Sequence, residues 1–132
     1  MATIKNFEEL KIWQKAKTVC KIIYHLTSES KFSKDFALKD QINRSSGSIM
    51  DNIAEGFGRN GNMEFINFLT YANGSAYECK SQLHRAFDRN YITLETQNEL
   101  FQTIDEITKM LGPLISYLNS CEIRGIKFKG RK

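Results

Sequence analysis

The run Gly56-Phe57-Gly58-Arg59-Asn60-Gly61 joins glycine backbone freedom to a guanidinium, the two ingredients of a phosphate cradle. It follows a helical pattern rather than a strand, which argues against a dinucleotide fingerprint, and it lacks the Gly-Lys-Ser/Thr ending of a Walker loop. A structural turn is the simpler reading. Arg59 then either binds phosphate or pairs with Glu55 or Glu64. Further cations are spaced for one helical face. Arg85 and Arg89 stand one i,i+4 step apart, while Asp88 stands at the same step from His84 and offers a competing local pair. Lys11, Lys15, Arg44, Arg59, Arg85 and Arg89 are therefore the candidates for contacts to RNA or DNA, through phosphates rather than bases. The C-terminus adds Arg124, Lys127, Lys129, Arg131 and Lys132. The competing account is that these cations only keep a helical protein soluble.

Other chemistry finds little support. Glu55 and Glu78 fall on neighbouring helical segments, but a di-iron bundle also needs Glu-x-x-His pairs, and the chain has none. No metal and no cofactor is expected. Cys20 and Cys79 lie within apolar-periodic segments and read as small buried hydrophobes, and Cys121 lies near the tail. Three widely spaced cysteines make neither a disulfide framework nor a zinc pattern. His25 and His84 have no paired nucleophile, so no catalytic residues are assigned and an enzyme is not expected.

At 132 residues, 41% hydrophobic and 26% charged, the chain suits one soluble domain. No signal-like opening and no membrane-length apolar run occurs, so a cytoplasmic protein without membrane contact is the expectation. The net charge of +4 is uneven: +3 over residues 1–60, −3 over 61–120 and +4 over the last twelve. Such polarity favours a polyanion partner or charge-complementary self-association.

Four amphipathic segments must position these groups. The first starts after Asn6, with Glu9 completing a capping-box-like pair, and buries Ile12, Ala16, Val19, Ile23 and Leu26. Its lysines, Lys11, Lys15, Lys17 and Lys21, fall mainly on the remaining surface. The second runs from Ser33 or Lys34 to about Glu55, buries Leu38, Ile42, Ile49 and Ile53, and ends with Gly56 in a left-handed conformation. The third is capped by Asn62, and its Gly74-Ser75-Ala76 run matches the Ser45-Ser46-Gly47-Ser48 run of the second, predicting a close approach of the two backbones. Asn52 and Asn73 satisfy backbone groups or set helix register. The fourth begins at a Thr93 cap, and Leu100, Ile104, Ile107, Leu111, Leu114 and Leu118 alternate steps of four and three. Pro113 should kink it. The predicted fold is all-α: an antiparallel up-down-up-down four-helix bundle over residues 1–120, then a short basic, non-helical tail over 121–132. The surplus apolar surface of the last helix also fits a protein-interaction scaffold.

Four stretches carry a family resemblance: Phe7 to Ala16, Leu38 to Ser45, Asn52-Ile53-Ala54-Glu55-Gly56-Phe57-Gly58-Arg59, and Phe65 to Glu78. The chain resembles the four-helix-bundle proteins encoded within intervening sequences of bacterial 23S ribosomal RNA genes, also called S23 ribosomal proteins. More distantly it is similar to accessory proteins of diversity-generating retroelements. Ser33 and Met50 stand where family members often carry proline. The resemblance implies a homopentamer without catalytic residues, and the retroelement relatives imply nucleic-acid and protein partners.

Overall fold

The computed structural model describes the backbone of residues 4–29 and 31–129, and the side chains of residues 4–29 and 31–121. Four helices carry this chain: Lys11–Thr27 (α1), Phe36–Gly58 (α2), Asn62–Asp88 (α3) and Leu94–Lys129 (α4). Short 3-10 turns at Phe7–Glu9 and Phe32–Lys34 precede α1 and α2, and the described residues contain no strand. Each helix buries one stripe, because apolar residues at steps of three and four share a face. Ile12, Ala16, Val19 and Ile23 of α1 meet Leu38, Ile42, Ile49 and Ile53 of α2 in one core. Leu69, Ala72, Ala76, Cys79 and Leu83 of α3 join it with Leu100, Ile104, Ile107 and Leu111 of α4. Packing runs around a square: α1 and α3 each contact α2 and α4.

Cross-helix pairs fix the antiparallel register. Along α2 and α3, Arg89 meets Asp35, Arg85 meets Gln41, Gln82 meets Ser45 and Ser75 meets Ser48. Along α3 and α4, Lys80 Nζ reaches Asp105 Oδ1 at 2.8 Å and the His84 ring lies 4.8 Å from Phe101. His84 thus faces α4 rather than pairing with Asp88.

The helix ends depart from the sequence expectations in instructive ways. Asn6 opens a 3-10 turn instead of α1. Glu9 does reach back, accepting Asn6 N at 3.1 Å and Lys5 N at 2.8 Å, and these two bonds lower its pKa. Leu10 then breaks into an extended conformation, so α1 starts at Lys11. α2 starts at Phe36 because Asp35 supplies the cap, its Oδ1 accepting Leu38 N at 3.3 Å. α3 includes Asn62, and Gly61 takes the capping position. Thr93 does cap α4, accepting Thr96 N at 3.1 Å. After α3, Asn90 adopts φ 61°, and Asn90 N and Tyr91 N bond to Phe87 O and Ala86 O at 2.9 Å each, a Schellman closure with Asn in glycine's place.

Two corrections reach further. Gly56 is not left-handed: α2 continues to Gly58, and no described glycine has positive φ. Gly56 is buried, and a Cβ there would lie 2.6 Å from Phe68 Cβ and 3.0 Å from Phe65 Cδ1. Its missing side chain lets α3 approach. The matched glycines do not do this, since Gly47 and Gly74 face open space. The serines bring the middle of the seam together instead: Ser48 Oγ and Ser75 Oγ are 2.8 Å apart, and Asn52 Nδ2 donates to Ser48 O at 2.8 Å. At the C-terminus, α4 passes Pro113 and stays helical to Lys129, where a non-helical tail was expected from 121. One glycine costs about 1 kcal/mol against alanine, too little to stop a helix already propagating through Gly125.

Candidate nucleic-acid interface

The six candidate cations of the bundle divide by what already holds them. Lys15 crosses from α1 to α4, its Nζ 3.0 Å from Glu106 Oε2. Arg59, at the end of α2, pairs with Glu55 at 3.1 Å and lies 5.2 Å from the centre of the Phe68 ring. Its guanidinium therefore closes the α2–α3 hairpin over Gly56. The surrounding run keeps a Gly-x-Gly-x-x-Gly spacing, yet Gly56 and Gly58 sit in the last turn of a helix. No strand feeds it, and the next helix N-terminus, at Asn62, comes only after the third glycine, so the phosphate geometry of that motif does not form.

Arg89 is likewise structural. It donates to Asp35 Oδ2 at 2.7 Å, and Tyr91 OH donates to the same oxygen at 2.8 Å. With the cap to Leu38, one carboxylate ties the α1–α2 connection to the α3–α4 connection. The Tyr91 bond chiefly, then the Leu38 amide and Arg89, hold the Asp35 carboxyl below its ordinary value. The Tyr91 phenol is pushed up by the same bond.

Arg44 and Arg85 come together on an open groove of about 510 Å³ between α2 and α3, lined also by Gln41, Glu78, Ser81 and Gln82. Arg85 donates to neutral Gln41 at 2.7 Å and enters no ion pair among the described residues. Arg44 pairs with Asp40, one turn away, among the described residues, and both side chains are exposed. Such a pair contributes about 0.3–0.5 kcal/mol and yields readily to a phosphate. Glu78 in the same groove opposes an anion. Below the groove, Ser45 meets Gln82, and the buried Cys79 thiol is pushed up to about 12 by burial, which makes it an inert core group.

A run of cations without carboxylates beside them lies on α1. From Lys11 to Thr27 the helix has four lysines and no Asp or Glu. Lys11, Lys17 and Lys21 are exposed and enter no ion pair among the described residues. Lys17 and Lys21 were missing from the sequence-derived set. The absence of carboxylates across the whole helix was the signal that could have included them. The side chains of Arg124, Lys127, Lys129, Arg131 and Lys132 lie outside the described residues. Among the described residues no group of three or more His, Cys, Asp or Glu gathers as a metal set, and no helix is long and apolar enough to cross a membrane.

These features define a four-helix bundle with its seams closed by polar pairs and one lysine-rich outer helix. A family model for the 23S rRNA-intervening sequence protein matches residues 8–113, and the chain belongs to that family. Among solved structures it is similar to a protein with unknown function from the S23 ribosomal protein family of Bacteroides thetaiotaomicron. The two are 28% identical with a TM-score of 0.73, over 80% of this chain and 95% of that one. No curated protein matches the chain.

Proposed function

We propose that the protein is a non-enzymatic, homo-oligomeric bundle of the cytoplasm that binds RNA or DNA through phosphate contacts. The observation that carries this reading is α1: four lysines, no carboxylate, and three ammonium groups free of ion pairs among the described residues. Of the four, Lys15 alone is paired among the described residues, with Glu106 of α4. Arg44 and Arg85 extend the positive surface on another side.

Three phosphate contacts give a logarithmic salt slope of about −2 to −3. Exchanging Lys11, Lys17 and Lys21 for Glu is expected to flatten that slope and weaken binding at least about tenfold at low salt. Anisotropy titrations at two salt concentrations check this. Affinity unchanged by salt or by the triple exchange would sink the α1 reading.

Self-association draws on a separate surface. Tyr71 and Tyr77 of α3 are 62% and 60% exposed, with Met63 at 49%, apolar side chains that an oligomer would cover. The pentamer implied by the family resemblance predicts a native mass about five times the 15.3 kDa chain. A monomeric mass by light scattering would overturn it. Those exposed side chains also support the protein-interaction scaffold, and a protein partner surviving nuclease treatment in a pull-down would favour that reading.

A further inference from the structure

The lysines of α1 are interleaved with aromatic rings. Trp13, Lys17, Lys21 and Tyr24 follow at steps of four, four and three, which places them along one flank of the helix. Lys17 Nζ lies 5.5 Å from the centre of the Trp13 ring, which in turn packs edge-on against Phe7 at 5.0 Å. Tyr24 is 63% exposed, and its described ring contact is the tilted edge of His25 at 5.9 Å and 68°. A face of the phenol is therefore open to solvent, about 10 Å along the helix from Lys17 at 1.5 Å per residue.

Across the seam, where Asn43 Nδ2 donates to Thr27 Oγ1 at 3.0 Å, α2 adds a shallow groove of about 370 Å³ lined by Phe36, Lys39, Asp40 and Asn43. Phe36 is 76% exposed. Asp40 is the acidic member, and Arg44 already pairs with it at 3.1 Å. Ammonium groups hold the phosphates of any strand. A flat ring in the open takes only a base that is not already stacked within a duplex.

We propose that this flank binds single-stranded nucleic acid, with Lys17 and Lys21 holding phosphates and Tyr24 stacking an unpaired base. The proposal rests on the polyanion-binding reading above, and it names the form of nucleic acid that the site selects. The test is an anisotropy titration at low salt with a labelled oligouridylate and a blunt RNA duplex of equal length. Tighter binding of the oligouridylate is expected. Tyr24→Ala should weaken it about 5- to 30-fold while leaving duplex binding within about twofold, and Tyr24→Phe should retain it. Because Tyr24 is exposed, thermal unfolding should be the same in all three proteins.

Three results overturn the proposal. The first is an equal or tighter affinity for the duplex. The second is an unchanged oligouridylate affinity in Tyr24→Ala while Lys17→Glu with Lys21→Glu still weakens binding, which leaves the polyanion reading standing without base stacking. The third is no binding of either probe, which removes both.

Discussion

Gly56→Ala is expected to destabilise the bundle by about 2 kcal/mol, a fall in Tm of roughly 6–10 °C for a chain of this size. The added methyl would lie 2.6 Å from Phe68 Cβ, an atom fixed to the backbone of α3, so the two helices must separate. Overpacking of this kind costs about 1–3 kcal/mol or more, and alanine's better helix propensity returns only about 1. Gly47→Ala is the matched comparison. It sits in the same helix with nothing within 4 Å of its added carbon, and should stabilise by up to about 1 kcal/mol. Thermal melts of the two variants moving the same way would show that close approach is not what Gly56 provides.

Asp35→Ala is expected to lower Tm by roughly 5–10 °C at neutral pH. It removes the α2 cap together with both bonds that hold Arg89 and Tyr91. The effect should depend on pH in a defined direction. The folded-state pKa lies below the ordinary value of 3.8, so the carboxylate's contribution is fully present well above 3.8. It is lost as pH falls through the depressed folded value. The Tm gap between wild type and Asp35→Asn should therefore hold from pH 7 down to about 5 and close below about 4. A gap that stays constant on acidification would mean that the charge on Asp35 does not matter.

Periodicity made the core legible. Ile49, Ile53, Leu100, Ile104, Ile107 and Leu111 are buried where the three-four spacing puts them, because a helix leaves an apolar stripe no alternative to a neighbouring stripe. Gly56 misled because sequence shows only that a side chain is absent. A left-handed turn and a close approach both use glycine, and the atom that decides between them, Phe68 Cβ, is twelve residues away. Boundaries slipped for a similar reason: Asp35 and Ser33 are both acceptable caps, and the Arg89 and Tyr91 bonds that favour Asp35 come from the far end of α3. Among the cations, the Arg59–Glu55 pair was an alternative open in the sequence, whereas the cross-helix partners of Lys15 and Arg89 were not visible there. Lys15, Arg59 and Arg89 proved to be tied to carboxylates, while Lys17 and Lys21 stayed free among the described residues.

The register of the seams also sets an order of assembly. Gly56 and Phe68 meet across twelve residues, and Lys80 and Asp105 across twenty-five, whereas Lys15 and Glu106 close a loop of ninety-one. Loop-closure entropy grows with that separation, so the α2–α3 hairpin is the cheapest nucleus and the α1–α4 seam the last to shut. Pulsed hydrogen exchange during refolding should find α2 and α3 protected first. The α1–α2 contact between Thr27 and Asn43, sixteen residues apart, closes next, and α4 is the helix that completes the square.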